Sequence, residues 1–119
     1  MGEFVMKKVA TGVKFDLRAA NGEVIATSEV YKTQAACRKG IQSVCKNAPK
    51  APLEDQAAAD AVLPNPKFEL YQDKAGLYRF RLRARNGGII AVSEGYSTRQ
   101  ACLNGIESVK KNAPDAAVE

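Results

Sequence analysis

The sequence predicts an α+β protein of two β-β-β-α-β repeats, with antiparallel sheet and two helices packed on one face. Three observations carry this prediction. Residues 15–49 lie on residues 80–114 without a gap, with Phe, Leu-Arg-Ala, Asn-Gly, Ile-Ala, Ser-Glu, Tyr, Thr, Ala-Cys, Gly-Ile, Ser-Val and Lys-Asn-Ala-Pro shared, which marks an internal duplication. In each copy apolar and polar residues first alternate with period two, as in a strand wet on one side. Further along, the apolar spacing changes to three and four, as in an amphipathic helix.

The elements follow in order. The first strand of each copy is short, 4–8 and 68–72, and is closed by a turn at Ala10-Thr11-Gly12 or Asp73-Lys74-Ala75-Gly76. The second strand sets Phe15, Leu17 and Ala19 against Lys14, Asp16 and Arg18; its copy sets Tyr78, Phe80, Leu82 and Ala84 against Arg79, Arg81, Arg83 and Arg85. Asn21-Gly22 and Asn86-Gly87 then predict a tight type I′ hairpin turn, because both residues tolerate positive φ. The third strand, 24–28 or 89–93, is apolar at consecutive positions and so suits the middle of a sheet.

After Tyr31 and Tyr96, Thr33 and Thr98 are good helix N-caps. Ala36, Cys37, Gly40, Ile41, Val44 and Ala48 form one helical stripe, repeated as Ala101, Cys102, Gly105, Ile106, Val109 and Ala113, and Pro49 and Pro114 end the helices. Gly40 and Gly105 each cost about 1 kcal/mol of helix propensity, a cost that predicts close approach of the helix to its sheet. Beyond the prolines, Ala51-Pro52-Leu53-Glu54 aligns with Ala116-Ala117-Val118-Glu119 as a short fourth strand. The domain organisation expected is a first repeat over 1–56, a linker over 57–66 and a second repeat over 67–119, together one pseudo-twofold unit.

Composition excludes several function classes. With 119 residues the chain is long enough for one domain, whereas half of it would bury only about 60% of its unfolded surface, so the halves gain by sharing a core. There is no histidine, which removes the commonest general base and metal ligand. No Gly-rich phosphate loop, Cys-x-x-Cys pair or paired-carboxylate signature is present. Catalytic, metal and cofactor residues are accordingly expected to be none. Three cysteines, an odd number, read as reduced thiols, and no stretch reads as a signal peptide or membrane span, so a cytoplasmic location is expected. The net charge of +5 favours weak attraction to anionic partners.

The ordered set Phe-x-Leu-Arg-Ala-x-Asn-Gly, Ile-Ala-x-Ser-Glu-x-Tyr, Gly-Ile-x-Ser-Val and Lys-Asn-Ala-Pro resembles the repeat of the YegP-like family of small bacterial proteins. The resemblance spans both copies. It implies a single sheet built from β-β-β-α-β units that exchange their C-terminal strands, in tandem chains or in single-repeat chains that pair. It brings no catalytic residues. The last strand, ending at Glu119, is the part of the exchange expected to be short or frayed.

Three candidate sites remain. The ladder Arg79, Arg81, Arg83 and Arg85, with Arg18 from the first copy and Tyr71 as the exposed ring nearby, is a candidate surface for an anion or nucleic acid. The reading against it is a solvated strand face cross-paired to Glu69, and few rings are available for stacking bases. Cys37 and Cys102 sit on the helical stripe and read as small buried hydrophobes, with Cys45 partly exposed. Ser28-Glu29 and Ser93-Glu94, followed by Tyr31 and Tyr96, stand at a strand-to-helix junction, where capping is preferred over ligand binding. The expectation is a non-enzymatic binding module using a basic open sheet face, monomeric with an internal pseudo-dimer and away from membranes. The alternative is a structural or stress-related stabilising protein without a specific ligand. Function is sought where the copies differ, at Arg79, Arg81 and Arg85 opposite Lys14, Asp16 and Ala20.

Overall fold

The computed structural model describes residues 2–56 and 62–118. Among these residues eight strands and two α-helices follow the predicted order: β1 (Glu3–Val9), β2 (Gly12–Arg18), β3 (Val24–Thr27), α1 (Gln34–Asn47), β4 (Leu53–Asp55), β5 (Lys67–Gln72), β6 (Tyr78–Arg83), β7 (Ile89–Val92), α2 (Arg99–Asn112) and β8 (Ala117–Val118). They build one sheet in the order β4-β5-β6-β7-β3-β2-β1-β8. The third strands meet at its centre, where Thr27 pairs with Val92. Each fourth strand lies on the other repeat: β4 runs beside β5 and β8 beside β1. Both of these outer pairings are parallel, so the sheet is mixed, antiparallel only through its six inner strands. The reason is geometric: a strand that reaches the far repeat over a helix arrives in the direction of the strand it joins.

Each helix straddles the central seam, α1 packing on β2 and β7 and α2 on β5, β6 and β3. The caps are the predicted ones, with Ala36 N–H donating to Thr33 Oγ1 and Ala101 N–H to Thr98 Oγ1, both at 3.1 Å. The core between helices and sheet is filled by Phe4, Phe15, Leu17, Phe68, Leu70, Phe80 and Leu82 with Ile41, Val44, Ile106 and Val109 from the helices.

Gly40 and Gly105 face rings more closely than backbone. A Cβ on Gly40 would meet the Tyr31 hydroxyl and, at 3.2 Å, Phe15 Cε2; on Gly105 it would meet the Tyr96 hydroxyl and, at 3.0 Å, Phe80 Cε2. Tyr31 stacks on Phe15 and Tyr96 on Phe80, each with ring centres 6.3 Å apart. A tyrosine thus fills the layer between strand and helix in each copy.

The hairpins differ from the expected two-residue turn. Gly22 N–H bonds to the Ala19 carbonyl and Ala19 N–H to the Glu23 carbonyl, while Gly22 has φ 86° and Gly87 has φ 87°. This is a longer loop in which the glycine takes the left-handed position. Pairing to the third strand shifts register at Leu17/Arg18 and Leu82/Arg83, and a bulge there ends the strict alternation. Of the expected linker over 57–66, residues 57–61 lie outside the described residues.

Candidate functional site

On the face opposite the helices, paired residues form a continuous row: Val5, Asp16 and Thr27 from the first repeat, then Val92, Arg81, Glu69 and Glu54. Its charged groups cluster around the buried carboxylates of Asp16, Glu69 and Glu54. Glu69, only 3% exposed, accepts from Arg81 Nε at 2.5 Å and from Arg83 Nε at 2.7 Å, with Lys67 Nζ 3.4 Å away. Its burial opposes ionisation, yet the bonds and charges of Arg81 and Arg83 prevail and hold the carboxyl below its usual range. In the first repeat Asp16 accepts from Thr27 Oγ1 at 2.7 Å and pairs with Lys7 at 2.6 Å. Burial again works against ionisation there, but Lys7, Thr27 and Lys14 outweigh it.

Arg81 and Arg83 thus share Glu69, and the rest of the ladder has other partners. Arg79 gives Nε to Asp73 Oδ2 at 2.7 Å and Nη1 to the Ser93 carbonyl. Asp73 is itself held by the turn, where its Oδ1 accepts from Ala75 and Leu77 N–H. Arg81 lies over the Tyr71 ring, 4.5 Å from its centre. Arg83 gives Nη1 to the Gly87 carbonyl at 2.7 Å. Arg18 stands 3.8 Å from Glu3, and its Nε is buried without a partner among the described residues.

Arg85 does not belong to the ladder. Strand β6 ends at Arg83 and the bulge carries Ala84 and Arg85 into the turn, where Arg85 lines a groove against Lys39, Gln42, Ser43 and Lys46 of α1. Alternation extended past the bulge placed it on the wrong face.

The other candidates are structural. Ser28 and Ser93 do not cap the helices, as the two threonines already do. Each serine Oγ accepts from the N–H of Phe15 or Phe80 at 2.9 Å and donates to the following glutamate carbonyl, so it stitches the second strand to the chain leaving the third. Cys37 and Cys102 are fully buried. Burial raises all three thiols, Cys102 to about 11.

One ionic cluster was not legible as a unit in the sequence. Glu54 on β4, 2% exposed, accepts from Lys67 Nζ at 2.7 Å, Gln56 Nε2 at 2.7 Å and Leu63 N–H at 2.6 Å. These bonds, that from Lys67 first, hold its carboxyl at about 2. Next to it Asp55 Oδ2 accepts from Arg99 Nε at 2.7 Å and from Arg99 Nη2. The exchanged strand of the first repeat is thereby clamped to both the sheet and the helix of the second. Glu54-Asp55 beside an apolar leucine was the only signal.

Two interlocked β-β-β-α-β repeats sharing one sheet, with both helices on one face, define a pseudo-twofold tandem-repeat protein. The chain belongs to the family described as domain of unknown function DUF1508, whose model matches it twice, over residues 10–55 and 73–119. It is 37% identical over 120 residues to the UPF0339 protein YegP of Yersinia pestis, covering 100% of this chain and 95% of that one. Against a UPF0339 protein of Bordetella pertussis it is 44% identical over 115 residues, covering 97% and 91%. A relative from Methanosarcina acetivorans matches one repeat, with 64% identity over 52 residues that cover 44% of this chain and 90% of that protein. The solution structure of YegP from E. coli, 34% identical, superposes with a TM-score of 0.81 over 99% of this chain and 90% of that one. The YegP-like resemblance and the exchange of fourth strands both hold.

Proposed function

We propose that this protein is a non-enzymatic interaction module that receives an anionic partner on its open sheet face. The observation that carries the reading is how the arginines are held. Arg79, Arg81 and Arg83 are each fixed to a carboxylate through Nε, and among the described residues the Nη groups of Arg81 have no acceptor. A guanidinium already immobilised loses less side-chain entropy on binding than a free one. Its outward N–H groups suit the paired oxygens of a carboxylate or phosphate.

The chemistry of the titratable groups supports the non-enzymatic part. Among the described residues the shifted groups move away from neutrality: Asp16, Glu54, Glu69 and Asp73 fall, while Tyr31, Tyr96, the three cysteines, Lys67 and Arg79 rise. General acid-base catalysis calls for the opposite tuning. The compensation of the ladder by Glu69 and Asp73 favours the second reading, a stabilising protein without a specific ligand.

Titration of labelled protein with single-stranded and duplex nucleic acid at low and moderate salt separates the two. Binding on the open face shifts the amides of residues 79–83 and weakens with salt. Unmoved amides there remove nucleic acid as the partner of the open face and favour the stabilising role.

A further inference from the structure

The duplication makes two equivalent grooves, each between the hairpin turn of one repeat and the helix of the other. One, of about 500 Å³, is lined by Ala20, Asn21, Asn104, Glu107, Ser108 and Lys111 among others. The second, of about 330 Å³, has Arg85, Asn86, Lys39, Gln42, Ser43 and Lys46 at the corresponding positions. The duplicated positions thus compare directly within one chain. Ala20 is replaced by Arg85, Asn104 by Lys39 and Glu107 by Gln42, while Lys111 and Lys46 correspond. A groove with one cation and one carboxylate becomes a groove with three cations and no carboxylate.

Arg85 also lines a third groove, of about 280 Å³, which adds Lys50 and has Pro52, Pro64, Asn65 and Pro66 as its walls. The counterpart of Lys50 is Asp115. Among the described residues none of Lys39, Lys46, Lys50 or Arg85 forms an ion pair, in contrast to Arg79, Arg81 and Arg83 on the open face. Among the described residues the positive charge here is therefore unpaired, in a concave site where like charges reinforce one another.

The neutral polar groups are also set to donate. Asn86 Oδ1 is taken by Gly88 N–H at 2.9 Å, which leaves its amide N–H groups for a ligand. Ser43 Oγ accepts from Asn47 Nδ2 at 3.0 Å, so its own O–H remains to give. Among the described residues no aromatic ring lines either groove, so a base would find no ring to stack on there. Donors and cations along two grooves that share Arg85 suit a chain of oxyanions more than a single one.

We infer that the trough formed by Lys39, Lys46, Lys50 and Arg85 is a binding site for an oligophosphate chain, and that its counterpart in the other half is not. The site is separate from the open sheet face and does not rest on that reading. The test is an amide titration of the full chain with sodium tripolyphosphate at constant ionic strength. The expected response is confined to Lys39, Gln42, Ser43, Lys46, Lys50, Arg85 and Asn86, with Asn21, Asn104, Glu107 and Lys111 unmoved. Arg85→Ala, on an exposed turn, should weaken binding about tenfold, the loss of one charge-assisted hydrogen bond. The triple change Ala20→Arg, Asn104→Lys and Glu107→Gln should make the silent groove respond.

An eight-nucleotide oligothymidylate identifies the source of the phosphates. A footprint on the same amides that is sensitive to Arg85→Ala means a polynucleotide backbone; a tripolyphosphate response without one means a free oligophosphate. Equal shifts in the two grooves, or none in either, overturn the assignment. A response at residues 79–83 with a silent trough would overturn it as well, while sustaining the open-face reading.

Discussion

Gly40 and Gly105 show how far single residues could be read. Their cost to helix propensity pointed to a close approach, and the approach is there. What the sequence did not disclose is that the neighbour is a tyrosine, because Tyr31 and Tyr96 are nine residues from the glycines and reach them only through the fold. Gly105→Leu should lower stability by about 3 kcal/mol through overpacking against Tyr96 and Phe80. Urea unfolding checks this, and an unchanged midpoint would contradict the packing described. Arg85 is the opposite case. Period-two reasoning placed it with the other arginines, but a bulge adds a residue without any signature in composition, and one residue is enough to exchange the faces.

Among the elements, the second and third strands and both helices were legible because their periodicity and caps are local properties. The fourth strands were legible only as short alignable stretches. Their destination depends on which edge is vacant in the other repeat, and spacing carries no such information; the family resemblance supplied it. The two exchanged strands are not equivalent. Strand β4 is held by Glu54 and Asp55, both nearly fully buried, while β8 has two residues and both are exposed.

The β4 clamp has a pH signature. The Glu54 carboxyl lies at about 2 in the folded protein against a usual 4.5, so it binds a proton less readily when folded than when unfolded. Its stabilisation is complete above about pH 4.5 and is lost as the pH falls towards about 2. Asp16, Glu69 and Asp73 shift in the same direction, so the whole protein should be acid-labile in this range. Glu54→Gln should reduce the slope of stability against pH between about 4.5 and 2, measured by denaturant unfolding at a series of pH values. A slope equal to that of the wild type would contradict the role given to the clamp.

At the scale of the whole molecule, the repeats are two in sequence but one in structure. Each contributes a strand to the far edge of the other, each helix covers part of both halves, and the hydrophobic core is continuous. The duplication was visible from identity alone, and its pseudo-twofold consequence followed from the small size of one half. The grooves between hairpin and opposite helix were not visible, since they exist only after the halves interlock. The copies differ there and on the open face, among other places, while Phe15, Leu17, Ile41 and Val44 of the core are repeated as Phe80, Leu82, Ile106 and Val109.

The central claim is that neither repeat is an independent folding unit. Native-state hydrogen exchange of the full chain tests it most directly, by comparing the most protected amides of β2, such as Phe15 and Leu17, with those of β6, such as Phe80 and Leu82. The account predicts the same opening free energy in both strands, equal to the global stability, because exchanged strands force the halves to unfold together. Two distinct plateaus, one for each repeat, would contradict it.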